Sequence, residues 1–120
     1  MKENKDTPLM LNCNEISVNP KDYWDEIIQI AFIEDAYKNI IISRLAYEDE
    51  IYIEHNDQAN CLYSYYQNVY FLLEENYLTI NVKNPTRAYN MPSELKIVFN
   101  NAVENLHEIL SELKASTLEI

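Results

Sequence analysis

Apolar and polar positions alternate along most of this chain, and the period changes only near its end. Leu9, Leu11 and Cys13, followed by Ile16 and Val18, give a broken alternation that predicts a strand bulged near Asn14-Glu15 and stopped by Asn19-Pro20. Ile-rich Asn39 to Ala46 predicts another. Ile51, Ile53 and His55 alternate against Tyr52 and Glu54, so a further strand pairs with it in hairpin fashion across the charged turn Glu48-Asp49-Glu50. Strand-favouring residues continue from Cys61 to Leu73, with an interruption around Gln67-Asn68. Val69, Phe71 and Leu73 form one face, Glu74-Glu75-Asn76 a turn, and Leu78, Ile80 and Val82 the facing stripe, which is the clearest hairpin in the chain. Asn84 to Ser93, with two prolines, reads as a loop before a strand over Leu95 to Phe99. Then Ala102, Val103, Leu106, Ile109, Leu110 and Leu113 fall three and four apart. A helix is predicted over Ala102 to Lys114, with Asn101 and Glu104 forming a capping-box-like start.

One segment admits two readings. Over Lys21 to Tyr37, Asn19 as a cap, Pro20 at the first helical position and apolar Trp24, Ile27, Ile28 and Ala31 suit a helix. Ile28, Ile30 and Phe32 on one face suit a strand equally well. The resulting expectation is an α+β fold: a mostly antiparallel β-sheet of about six or seven strands with one C-terminal helix packed on a face. Residues 1–8 are expected to be a flexible N-terminal segment and residues 9–120 a single domain.

Composition sharpens this picture. Glycine is absent, so turns that need a positive φ fall to asparagine and aspartate, and Asn56-Asp57, Asn60, Asn76, Asn84-Pro85 and Asn90 mark the expected corners. The same absence excludes phosphate loops and dinucleotide fingerprints. Twenty acidic residues against nine basic give a net charge of -11, which opposes direct contact with nucleic acid or an anionic membrane and favours a basic protein partner. Solubility alone is the plainer account of that charge. Cys13 and Cys61 have no ligand or redox spacing and read as reduced, partly buried thiols. Met1 to Pro8 lacks the apolar core of a signal peptide, and the apolar runs Ile40 to Ile42 and Val69 to Leu73 are too short to span a bilayer, so a cytoplasmic protein is expected.

Candidate chemistry is sparse. His55 and His107 lie on separate predicted elements, and each reads more simply as a strand-end or helix-boundary histidine than as a ligand or base. Glu48-Asp49-Glu50 with Asp57 lacks the alternate ligands, central glycine and terminal glutamate of a calcium loop. No enzyme, cofactor or metal is expected. The informative interval runs from Arg44 to Lys83. It contains no other lysine or arginine, yet carries Glu48, Asp49, Glu50, Glu54, Asp57, Glu74 and Glu75 together with Tyr47, Tyr52, Tyr63, Tyr65, Tyr66, Tyr70 and Tyr77. If the alternation holds, Tyr52, Glu54 and Tyr70 point away from the core. Tyr52, Glu54, Asp57, Tyr63, Tyr65, Tyr66 and Tyr70 are therefore the candidate partner-binding residues: aromatic anchors interleaved with acids that pair with a partner's lysine or arginine. A tyrosine-rich sheet that merely stabilises itself by cross-strand pairs is the competing account.

The order of elements from Ile51 resembles a known family. IYIEHNDQANCLYSYYQNVYFLLEENYLTINV, then the strand LKIVF and the helix VENLHEILSEL, is similar to the C-terminal two-thirds of immunity protein 10, a family of bacterial polymorphic-toxin systems. Asn56-Asp57-Gln58 would be its polar turn, IIQIAFIED its second strand and KNIIISRL its third. The resemblance implies a strand over Ile27 to Ile33, a cytoplasmic protein that binds and neutralises a cognate toxin, and no catalytic residue. The absence of glycine departs from the family, whose members usually carry it near the turns. Two alternatives from other classes stand beside it: a nucleic-acid-mimicking inhibitor from a mobile element, of anti-restriction or anti-CRISPR type, and a small ligand-binding domain with a tyrosine-lined pocket.

Overall fold

The computed structural model describes residues 8–19, 27–45, 48–99 and 106–114. Its strands are β1 Leu9–Cys13, β2 Glu15–Asn19, β3 Ile27–Asp35, β4 Lys38–Leu45, β5 Glu50–His55, β6 Asp57–Tyr65, β7 Val69–Leu73, β8 Tyr77–Val82, β9 Arg87–Tyr89 and β10 Glu94–Phe99. A 3-10 turn covers Tyr66–Asn68, and the helix α1 covers Leu106–Lys114. The α+β class, the mostly antiparallel pairing and the C-terminal helix are as the alternation predicts. The strands, however, divide between two sheets, a six-stranded one ordered β2-β3-β4-β5-β6-β9 and a four-stranded one ordered β1-β10-β8-β7. Only β1 and β10 pair in parallel among these ladders.

The reason for two sheets lies partly at Asn14. The expected bulge is the point where the chain leaves one sheet for the other, because β1 pairs with β10 and β2 with β3. Asn14 anchors the crossing by donating its backbone N–H to Ile33 O at 2.8 Å and its side-chain amide to Glu34 O at 2.9 Å. A second crossing is the 3-10 turn, which carries the chain from β6 to β7 near the predicted interruption. Between the sheets lies one contiguous core. Ile28, Ile30 and Phe32 of β3, Ile40 and Ile42 of β4, and Ile51 and Ile53 of β5 meet Leu11, Val69, Leu78, Ile80, Leu95 and Ile97 of the smaller sheet. The Phe32 and Phe99 rings bridge the layers at 6.1 Å. Each such aliphatic or aromatic burial contributes roughly 1.5–3 kcal/mol before chain entropy is counted.

The ambiguous segment resolves over its described part: Ile27–Asp35 is strand, with burial alternating along it. Asn19, the proposed cap of the rival helix, ends β2 instead, while the first turns of that helix, residues 20–26, lie outside the described residues, as do the N-terminal segment 1–7 and the capping pair Asn101 and Glu104. Helix α1 contacts β3, β7 and the 3-10 turn. It buries Leu106, Ile109, Leu110 and Leu113 in the common core. The absence of glycine is met as expected at three corners: Asn56, Asn84 and Asn90 take φ of 71°, 48° and 55°. Asn60 instead lies within β6, and the loop Asn84 to Ser93 contains the short strand β9.

Candidate interaction face

Registers on β5 and β6 decide which tyrosines meet. Glu50 pairs with Tyr65, Tyr52 with Tyr63, and Glu54 with Cys61, all on the side of the six-stranded sheet opposite Ile51 and Ile53. The Tyr52 and Tyr63 rings lie 5.0 Å apart and tilted, the favoured arrangement for a cross-strand aromatic pair. The Tyr52 hydroxyl donates to Glu54 Oε1 at 2.7 Å. Burial and this carboxylate push the Tyr52 pKa well above its ordinary value, so the hydroxyl remains a donor at any physiological pH.

Strand β9 completes the face. It places Arg87 opposite Tyr63 and Tyr89 opposite Cys61. The Arg87 guanidinium lies 3.7 Å from the Tyr63 ring centroid, and its Nη2 is 3.7 Å from Glu50 Oε1. The Thr86 hydroxyl donates to Glu50 Oε2 at 2.6 Å, while the Thr86 backbone N–H donates to Tyr63 O at 2.8 Å. Tyr65 and Tyr89, about half exposed at 48% and 52%, flank this assembly. Tyr52, Glu54, Gln58, Cys61 and Tyr63 line a shallow open depression of about 390 Å³.

Of the seven candidate residues, Tyr52, Glu54, Tyr63 and Tyr65 share this face. Asp57 sits at the hairpin tip, exposed, with its Oδ1 accepting the Ala59 N–H at 2.9 Å. Tyr66 and Tyr70 do not join them. Tyr66 opens the 3-10 turn and Tyr70 lies beyond it, on β7 of the other sheet. Tyr66 packs against the core with the Arg44 guanidinium 4.3 Å from its ring. Tyr70 lies on the outside of the four-stranded sheet, exposed, as its alternation with Val69 and Phe71 predicts. Arg87 and Tyr89 were not legible in advance: three residues in a proline-containing loop carry no usable period, and only pairing with β6 brings them to the site.

The remaining candidates are placed as follows. His55 ends β5 beside a bulge, where burial lowers its pKa and nearby Asp57 opposes the shift. His107 is exposed on α1. Cys13 and Cys61 are buried free thiols, and burial pushes the Cys13 pKa up. Among the described residues no group of three or more His, Cys, Asp or Glu is arranged to hold a metal, and no helix is long and apolar enough to cross a membrane. Comparison with protein-family models, with curated proteins and with solved structures found no match. The likeness to immunity protein 10 thus rests on the pattern of elements quoted above.

Proposed function

We propose that this chain is an inhibitor that grips a basic protein through the outer face of β5, β6 and β9, and that it acts in the cytoplasm as an immunity protein against a cognate toxin. The observation that carries the reading is Arg87. Its guanidinium lies against an aromatic ring and a carboxylate at once, which is the arrangement by which this face would hold an arginine of a partner. Tyr52, Glu54 and Tyr65 offer the same pair of chemistries immediately beside it, and a net charge of -11 steers a basic partner toward the encounter.

Occlusion of the toxin requires no chemistry from the inhibitor. Aromatic rings on this face separate the carboxylates, and Glu50 and Glu54 already accept hydrogen bonds, which favours anchoring of a protein over mimicry of evenly spaced phosphates. The test is protection of cells from the toxin encoded beside this chain. A Glu54→Lys, Tyr65→Ala double variant, shown to be folded by circular dichroism, is expected to lose protection and complex formation. Undiminished protection by the folded double variant sinks the proposal.

A further inference from the structure

We propose a second docking site, on a different sheet from the face above: the free edge of β7, which accepts an extended basic peptide as a fifth strand. Among the described residues, strand β7 ends the four-stranded sheet and has β8 as its single neighbour there. The ladder phase is set by two bonds, Lys83 N–H to Asn68 O at 2.7 Å and Glu74 N–H to Tyr77 O at 2.8 Å. Main-chain groups alternate sides along an antiparallel strand, so Tyr70 and Leu72 face β8 while Val69, Phe71 and Leu73 face outward. Val69 is already occupied: its N–H donates to Tyr66 O, and the Lys114 ammonium donates to its carbonyl. Phe71 and Leu73 are left with N–H and C=O groups that no described residue pairs, the condition under which an edge recruits another strand. The opposite edge of the sheet is treated differently, since Glu34 Oε1 accepts the Asn12 N–H of β1 at 3.1 Å.

The side chains around this edge suit such an occupant. Helix α1 runs beside it, and Phe71, Leu73, His107, Leu110, Ser111 and Lys114 line a depression of about 350 Å³. A strand paired with β7 would turn alternate residues into that depression. Those between would lie over Leu72 and Tyr70, which are 58% and 49% exposed. Charge fixes the chemistry of the occupant, and with antiparallel pairing, the commoner kind in this fold, it fixes where the charge falls along the peptide. Lys114 marks the Val69 end and exposed Glu74 and Glu75 the Leu73 end. An antiparallel peptide therefore carries lysine or arginine just before a short apolar run, its first residues against Glu74 and Glu75. A second copy of this chain carries the same net charge of -11, and that overall repulsion disfavours self-pairing.

Fluorescence anisotropy with a labelled Lys-Lys-Val-Leu-Val-Thr peptide tests this on the full chain. Saturable binding is expected, weakened about tenfold or more when the peptide amide facing Phe71 is N-methylated, or when the peptide begins Glu-Glu. Leu72→Lys and the pair Glu74→Lys, Glu75→Lys change exposed positions and are expected to weaken binding similarly. No saturation at peptide concentrations on the order of 1 mM, equal binding of the Glu-Glu peptide, or indifference to N-methylation overturns the proposal. So does a homodimer, seen by sedimentation, that Leu72→Lys dissociates. The outer face of the six-stranded sheet takes no part in this assay, so its failure is separate from failure of the toxin-protection test.

Discussion

Replacing Arg44 by alanine should cost this protein a large part of its stability, although the residue is a cation. Arg44 occupies an inward position of β4, following Ile40 and Ile42, and is 3% exposed. Its Nε donates to Glu48 O at 2.8 Å and its Nη1 donates to Leu113 O at 2.7 Å, so one side chain ties the end of α1 to the loop after β4. The guanidinium also covers the Tyr66 ring, and its positive charge meets the carbonyl end of the helix dipole. Burial lowers the Arg44 pKa, with Asp49 and Tyr66 opposing the shift. The group still stays charged at neutral pH.

Arg44→Ala strands the buried Leu113 carbonyl at about 1–3 kcal/mol, leaves the Glu48 carbonyl to solvent, and removes the packing of the stem at about 1–2 kcal/mol, for a total of about 2–5 kcal/mol. That is a large fraction of the roughly 5–15 kcal/mol that holds a domain together. Urea unfolding followed by circular dichroism reads the loss, and hydrogen exchange in α1 should accelerate with it. Arg44→Met, which keeps the volume and leaves no buried charge, should recover about 1–2 kcal/mol of the loss. A loss below about 1 kcal/mol for Arg44→Ala would refute the clamp.

Other predictions follow from local geometry. Asn84→Gly should leave stability within about 0.5 kcal/mol of the parent, whereas Asn84→Val should cost about 1–2 kcal/mol, because φ of 48° strains a β-branched residue; thermal unfolding of the two variants checks it. Burial lowers the His55 pKa, so the unfolded chain binds its proton first, and the His55 share of stability is present above the unfolded value of about 6.5 and declines as pH falls below it. His55→Gln should flatten this part of the stability-pH curve, and an unchanged slope between pH 7 and 5 would exclude the assignment. Cys13, buried and with a raised pKa, should react with a thiol reagent only at the rate of unfolding; rapid labelling of the native protein would contradict its placement. Tyr52→Phe should cost about 1 kcal/mol by removing the bond to Glu54, measured by urea unfolding with Glu54→Gln as the partner in a double-mutant cycle.

Local order along this chain is legible in its sequence. Alternation placed the β7–β8 hairpin, the inward stripes Ile51 and Ile53 or Leu78 and Ile80, and the outward positions of Tyr52 and Tyr70. Spacing of three and four placed the helix stripe at Leu106, Ile109, Leu110 and Leu113. The lack of glycine pointed to asparagine corners, and three of them adopt positive φ. These are properties of neighbouring residues, set by the pleat of a strand, the pitch of a helix and the sterics of one Cα.

Tertiary structure decided what alternation is silent on. A period of two separates the faces of a strand but does not say which sheet the strand joins. The division at Asn14 into two sheets depends instead on pairings between distant segments, such as β1 with β10. Such pairings form because together they close one core, not because either segment prefers the other. The same non-local choice put Tyr66 and Tyr70 away from Tyr52, Tyr63 and Tyr65. It also turned Arg44 inward to hold the helix end and brought Arg87 and Tyr89 from an unpromising loop onto the acidic face. Sequence alone determined that this chain would present tyrosine and carboxylate on ordered strands. Which of them stand together was set by long-range packing, where the energy of burial outweighs any local preference.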